Sequence, residues 1–233
     1  MDSTSLRDQY RSDVDDLAQP YLWSDSEFFV WLDEAQRTFC RKTFGLGDAS
    51  SPLTKISYVA GEEWKPTSAL ILKFRDAYLT ADGRPLGIVN YENLMSEGFR
   101  LDQRTGHVRQ IIIGIEPHKM RLYPIPTEDG AIQLLVDRLP LKAITDEDQQ
   151  LEIDPQHHLA LLDWVKFRAY DKQDAETQDA SRSQKYEASF RDYCAIAKRE
   201  RERAMHKTRV VAYGGIGSTI GGTGARRSGR NSW

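Results

Sequence analysis

The sequence predicts an α+β, mainly α protein: helical hairpins with a small antiparallel β-unit and an extended C-terminal arm. Long segments near both ends of the chain place apolar residues at helical spacing. Between them, from about residue 53 to 140, shorter segments alternate apolar and polar residues and end in turn signals. The last residues are rich in glycine and poor in core-forming side chains. We therefore predict a body of residues 1–204 and an arm of residues 205–233.

Four body helices are predicted, at residues 5–18, 25–43, 155–171 and 175–203. The second begins at a capping box, in which the Ser24 side chain caps the helix and Glu27 reaches back. The third has Asp154 as its N-cap and Pro155 at the first helical position, where its missing N–H costs nothing. A short link joins the third and fourth helices, so we expect them to pack as an antiparallel hairpin.

The middle of the chain predicts a β-unit. Strand candidates are residues 53–61, 69–79 and 108–115, and a short helix is expected at 90–97. Residues 120–123 and 131–136 are interpreted as the two arms of a β-hairpin. Between them lies the turn signal Glu128-Asp129-Gly130, where glycine supplies the positive φ that a tight reversal needs.

Composition and motifs argue against an enzyme, a cofactor site and a membrane span. No run of 18 apolar residues occurs, and no Gly-x-Ser-x-Gly, His-Glu-x-x-His or Cys-x-x-Cys motif is present. The glycine run near the C-terminus lacks the lysine of a nucleotide-binding loop. Cys40 and Cys194 fit core thiols better than a disulfide framework, so we expect synthesis in a reducing cytoplasm. His157 and His158 are about 100° apart on a helix, which does not suit a shared metal.

Charge is distributed unevenly along the chain. Residues 198–233 carry nine Lys or Arg against two Glu, a net charge of +7, so the remainder carries −3 − 7 = −10. An acidic body is a poor scaffold for gripping nucleic acid but suits a surface that DNA slides past. The two ends of the chain are therefore expected to meet different partners.

Several segments together resemble one protein family. They are LWSDSEFFVWLDEAQRTFCRKT (22–43), LYPIP (122–126), EDG (128–130), the sequence Arg138-Leu139-Pro140, IDPQHH (153–158) and Asp171-x-x-Asp174-Ala175-Glu176. In order and composition these elements resemble the head-to-tail adaptor (connector, or head-completion) proteins of tailed bacteriophages. The resemblance covers roughly residues 5–205 and has no single invariant signature.

The resemblance implies a structural role in the phage neck. Such adaptors form a ring, usually of twelve copies, beneath the portal. The ring extends the DNA channel, helps to retain the genome until ejection and docks the tail. The implied partners are the portal protein, tail nozzle or tail tube proteins, further copies of the chain, and DNA that passes without sequence recognition. The implied location is the virion at the head–tail interface, after synthesis in the bacterial host cytoplasm.

Two sets of candidate functional residues follow. In this family a C-terminal arm commonly reaches the portal, and here the arm combines spaced apolar residues with arginines, as expected of a segment that folds on a partner. The candidate portal-binding residues are Val211, Tyr213, Ile216, Ile220, Arg226, Arg227, Arg230 and Trp233. The candidate channel-facing acidic residues are Asp171, Asp174, Glu176 and Asp179.

Two alternatives stay open at this point. Residues 198–209, KRERERAMHKTR, could form a basic helix that binds nucleic acid. Glu200 and Glu202 interleave with the basic residues, however, and this favours i, i+4 pairing on a solvated helix. A minor tail-associated hydrolase is the other alternative, because a pair of catalytic carboxylates can lie far apart in a sequence.

Overall fold

The computed structural model describes residues 1–98, 101–173 and 178–205. Its helices are α1 (Ser3–Val14), α2 (Asp25–Lys42), α3 (Tyr91–Ser96), α4 (His158–Asp171) and α5 (Ala180–Met205). Its strands are β1 (Leu46–Asp48), β2 (Lys55–Tyr58), β3 (Trp64–Pro66), β4 (Ile71–Leu79), β5 (Gly87–Asn90), β6 (Thr105–Gly106), β7 (Gln110–Ile113), β8 (Lys119–Tyr123), β9 (Ile125–Pro126) and β10 (Gly130–Arg138). The predicted α+β class is confirmed.

The helical region consists of α1, α2, α4 and α5, with α4 in contact with the other three. Its core contains fully buried apolar side chains from every one of these helices, including Leu6, Leu32, Leu161, Val165 and Phe190.

The predicted antiparallel hairpin of α4 and α5 is confirmed by contacts at two levels. Ser189 donates to Asp163 over 2.7 Å near the middle of the pair. The Tyr193 hydroxyl lies 2.9 Å from His157 Nδ1, near the start of α4. The later residue of α5 therefore meets the earlier residue of α4, as an antiparallel arrangement requires.

Helix boundaries differ from the prediction at three places. Helix α1 ends at Val14 rather than at residue 18, because Asp15 takes a left-handed φ of 58° and closes the helix. A 3-10 turn, Pro155–His157, precedes α4. Helix α5 begins at Ala180 rather than at 175, because the Asp179 carboxylate accepts the first free N–H groups. The capping box at the start of α2 is confirmed.

The β region comprises the strands β1 to β10 together with α3. In the first sheet, β10 pairs antiparallel with β4 along one edge and with β1 and β2 along the other. The second sheet has the order β3-β8-β7-β5, and β5 runs parallel to β7. A short parallel pair joins β6 to β9. The strands therefore form a mixed β-unit, and the predicted strand 53–61 narrows to β2 after a 3-10 turn at Pro52–Thr54.

The predicted β-hairpin of residues 120–123 and 131–136 is wrong. Strand β8 pairs with β3 and β7, whereas β10 lies in the other sheet. Pro124 and Pro126 follow closely after β8, and proline has no N–H to continue a ladder. The chain turns away there: β9 joins β6, and the carbonyl of Pro126 accepts the N–H of Gly61. The turn signal before β10 therefore connects two sheets instead of two paired strands.

The β region has its own apolar core. It includes the fully buried side chains of Ile111, Met120, Leu122, Ile132, Leu134 and Val136. This core is separate from that of the helical region. Cys40 and Cys194 are buried free thiols in the helical core, as predicted.

Candidate docking surface

The end of α5 is fixed to the rest of the molecule by Arg201. Its Nη2 lies 3.1 Å from Asp137 Oδ1 on β10. Its Nη1 donates to the carbonyl of Thr43 over 3.3 Å and to the carbonyl of Gly45. Charge-assisted hydrogen bonds of this kind are stronger than neutral ones. The point from which residues 206–233 continue is therefore held against the turn after α2 and the central strand of the first sheet.

Buried ion pairs lie where the end of α5 and the turn after α2 meet the first sheet. Asp137 is 3% exposed and also lies 3.6 Å from Arg75 Nη1. Next to it, Arg138 pairs with buried Asp48 and, over 2.7 Å, with Glu152. Burial acts to raise the pKa of Asp48, but hydrogen bonds from Ser51, Ser50 and Arg138 outweigh it and hold that pKa well below its usual range. Asp48 is thus a carboxylate at neutral pH.

A cavity of about 360 Å³ lies beside the end of α5. Its walls are Phe39, Cys40, Thr43, Gly45, Leu46, Ile153, Asp154, Gln156, His157, Ala197, Glu200, Arg201 and Ala204. The centroid of the His157 ring lies 4.9 Å from that of Phe39, and burial lowers the pKa of His157. The lining therefore combines apolar side chains with the charged Asp154, Glu200 and Arg201.

A second groove, of about 300 Å³, lies between the end of α2 and β4. It is lined by Arg41, Phe44, Leu72, Lys73 and Asp137, and we call it the basic groove. Lys198 Nζ lies 5.0 Å from the centroid of the Phe44 ring, a cation–π distance. Phe44 has a φ of 79°, unusual for a bulky residue, which turns the chain sharply at the groove wall.

Carboxylates collect at the opposite end of α2. Arg7 lies 3.2 Å from Asp8 and 3.3 Å from Asp25, and it also pairs with Glu147. The Thr4 hydroxyl donates to Asp148 over 2.9 Å. We call this surface the acidic end; its carboxylates are Asp2, Asp8, Asp25, Asp146, Glu147 and Asp148.

The candidate residues from the sequence are only partly placed by the structure. Asp171 and Asp179 lie at the tip of the α4–α5 hairpin, where Asp179 caps α5 and lies 3.3 Å from Arg182. Their position on a channel stays a prediction. The other candidates lie outside the described residues: Asp174, Glu176, Val211, Tyr213, Ile216, Ile220, Arg226, Arg227, Arg230 and Trp233.

Sequence reasoning missed the basic groove and the Arg201 anchor. The sequence predicts that the charged residues of segment 198–209 pair along a solvated helix, but the carboxylate partner of Arg201 is Asp137, 64 residues away. No pattern in the sequence around Arg201 predicts a partner 64 residues away. The alternating charges of α5 were the available signal, and they indicated solvated pairs instead.

Neither a cluster of metal ligands nor a membrane-spanning helix is found in the part of the chain that the structure describes. Within residues 1–98, 101–173 and 178–205, no three His, Cys, Asp or Glu side chains are grouped to hold a metal ion. Over the same ranges, no helix combines the length and the apolar character needed to cross a bilayer.

Comparison with known proteins identifies a family. The family described as SU10 adaptor protein matches residues 1–212, which include both regions and the end of α5. A search of curated proteins finds no match.

Proposed function

Because the chain belongs to the SU10 adaptor protein family, a family of phage head-to-tail adaptors, we propose that it forms a ring beneath the portal of a tailed phage. Membership of this family supports a location in the virion and contact with portal and tail proteins. The ring, of twelve copies, extends the DNA channel, helps to retain the genome and docks the tail. The family match over nine-tenths of the chain, from residue 1 to 212 of 233, carries this proposal.

Residues 205–233 act as the portal-binding arm in this proposal, and residues 1–204 as the adaptor body. Arg201 supports it, because a segment that must reach a partner gains from a rigid starting point. The arm residues 206–233 contain five Lys or Arg and no Asp or Glu. They also contain tryptophan and tyrosine, which are enriched among the residues that dominate binding energy.

Truncation tests the arm. A chain ending at Met205 keeps the Arg201 anchor and both cores, so we expect it to fold but to lose at least tenfold in affinity for purified portal rings. The matched control carries residues 206–233 in scrambled order, which keeps the charge and composition but changes the spacing. Undiminished binding by the truncated chain would refute portal binding by the arm. Full binding by the scrambled chain would show that the charge and composition of the arm are sufficient.

The acidic residues at the tip of the α4–α5 hairpin flank the DNA channel in the same proposal. The acidic balance of the body supports it, because repulsion of phosphate keeps DNA from sticking during passage. Asp171 is exposed and suits the test, whereas Asp179 is needed as a helix cap. Normal DNA ejection from particles that carry Asp171→Lys would argue against a channel position.

The basic-helix alternative is weakened by the structure. Lys198 lies over Phe44, and Arg201 is bound to carbonyls and to Asp137, so two of the cations that would meet phosphate are engaged within the chain. The adaptor family also indicates a structural role in place of the hydrolase alternative. Neither alternative gains support from the geometry of the described residues.

A further inference from the structure

Helix α2 carries oppositely charged surfaces at its two ends. The acidic end surrounds Asp25, the first residue of α2, and the basic groove begins at Arg41, next to its last residue. The helix has 18 residues, so these surfaces are separated by about 27 Å. A rigid helix holds them apart, and they cannot neutralise each other within one chain.

The basic groove is a local exception in an acidic body. Residues 206–233 carry +5, so residues 1–205 carry −3 − 5 = −8. Its lining holds Arg41 and Lys73 against Asp137, and the carboxylate of Asp137 is already paired with Arg75 and Arg201. Arg41 and Lys73 are exposed. Phe44 and Leu72 add apolar surface, and Leu72 is 40% exposed.

The acidic end has the complementary composition. Its six carboxylates face Arg7, and the buried Arg11 pairs with both Asp25 and the buried Asp16, so seven carboxylates and two arginines give a net charge of −5. The side chains of Asp8 and Glu147 are 64% and 52% exposed.

Apolar side chains stand beside these carboxylates in the loop before α2. Tyr21 is 38% exposed and its ring stacks on Arg11, and Leu22 is 49% exposed. The acidic end and the basic groove therefore both combine strong charge with a small apolar patch.

We infer that the basic groove receives the acidic end of a neighbouring copy of this chain, in a head-to-tail contact between adjacent subunits. The inference rests on the proposed ring and specifies its subunit interface. Because the two surfaces are different, the contact is heterologous, and repetition with a closing rotation generates a ring. Charge complementarity selects the register and speeds encounter, while Phe44 and Leu72 meet the apolar residues of the neighbour.

A second copy fits the groove better than DNA does. Phosphate recognition needs cations but no apolar wall, whereas the groove presents Phe44 and Leu72 between its cations. The chain itself also supplies a partner surface of opposite charge, the acidic end. DNA binding at the groove is therefore kept as an outcome that would overturn the inference.

Charge reversal tests the contact on the full chain. We expect R41E/K73E and D8K/E147K each to reduce complete rings on the portal at least tenfold. Combining all four substitutions places carboxylates at positions 41 and 73 opposite ammonium groups at positions 8 and 147, so ring yield should recover well above that of either double variant. The matched control is K55E/K119E, which makes the same charge change on exposed lysines of β2 and β8. Circular dichroism confirms that each variant is folded.

Three outcomes of this test contradict the inference. The first is wild-type ring yield from R41E/K73E. The second is a folded four-substitution variant whose ring yield is as low as that of either double variant. The third is DNA binding by the wild-type chain that R41E/K73E abolishes and K55E/K119E preserves, with ring yield unchanged.

Thiol cross-linking separates this inference from the portal proposal, because it needs no portal. Lys73→Cys and Glu147→Cys are made separately, mixed at high concentration and treated with a short bismaleimide. Burial raises the pKa of Cys40 to about 12 and of Cys194 to about 11, so the native thiols react slowly. We expect 73–147 cross-links to exceed 73–73 cross-links at least tenfold. A majority of 73–73 products, or no excess over cysteine variants at Lys55 and Lys119, would overturn the contact even if portal binding holds.

Discussion

The helical region and the β region of this protein differ in how the sequence specifies their elements. Each helix of the helical region is marked locally, by an apolar stripe, a cap or both, as at Ser24 and Asp154. The strands of the β region find partners far along the chain: Leu46 of β1 lies opposite Arg138 of β10. Local signals therefore specify the helices, whereas sheet partners depend on the whole chain.

The two regions also keep separate apolar cores, and they meet through both charged and apolar contacts. Asp137 with Arg201 joins the first sheet to α5, Leu46 of β1 packs against the helical core, and Asp48 with Arg138 ties β1 to β10 within the sheet. Removing one partner of a buried pair leaves an uncompensated charge, which costs about 3–5 kcal/mol. The junction thus provides a specific orientation between the regions, and the cores provide most of the stability of each.

Cavity substitutions give the largest expected effect and test the separation of the cores. Phe190 is fully buried in α5, with its ring 5.2 Å from that of Trp164, and Leu134 is fully buried in β10. We expect Phe190→Ala to lower the free energy of unfolding by about 3–5 kcal/mol and Leu134→Ala by about 2–5 kcal/mol. Urea unfolding measures both changes.

Hydrogen exchange then shows where each loss falls. Phe190→Ala should reduce amide protection mainly in α2, α4 and α5, and Leu134→Ala mainly in β4 and β10. Equal loss of amide protection in both regions from either variant would mean that the two cores unfold as one unit. The distinction between the two regions would then be wrong.

Asp48 of β1, paired with Arg138 of β10, gives the next largest effect and a pH dependence. At pH 7 we expect Asp48→Asn to cost about 3 kcal/mol, because it leaves Arg138 without its buried partner. The folded-state pKa of Asp48 is depressed, so its stabilising contribution is present above the unfolded-state pKa, about 3.9. The contribution is lost as the pH falls through the folded-state pKa.

The two proteins should therefore converge in stability in acid. Urea unfolding of wild type and Asp48→Asn at neutral and acidic pH measures the gap between them, with Asp192→Asn as the exposed control. A gap that stays constant as the pH falls would show that the ionised carboxylate of Asp48 does not stabilise the folded protein.

The smallest expected effect comes from the Ser24 cap and tests whether this local signal stabilises α2. Ser24→Ala removes the side chain that accepts the Glu27 N–H over 3.3 Å, and it should cost about 1 kcal/mol. Replacement by Asp, which also caps helices well, should restore most of that loss. Thermal melting of the three proteins is the measurement, and equal melting temperatures would show that the cap does not stabilise α2.

The sequence was sufficient for most of the elements and for the family, because caps and apolar periodicity are local. It failed at β8 and β10, where two prolines redirect the chain and only the tertiary structure shows which sheet each strand joins. The sequence also failed to predict the basic groove and the contacts of Arg201 that anchor α5. Arg41, Leu72 and Arg201 come from three distant segments of the chain. The arm and the channel-facing acidic residues stay predictions.

Cryo-electron microscopy of the purified full-length chain mixed with its portal rings tests the proposed adaptor role most directly. We expect a layer added beneath the portal, with twelve copies and the rotational symmetry of the portal, and density from the end of α5 that reaches the portal surface. A chain that leaves the portal bare at concentrations well above those of assembly, yet binds bare DNA with a steep salt dependence, would contradict that role.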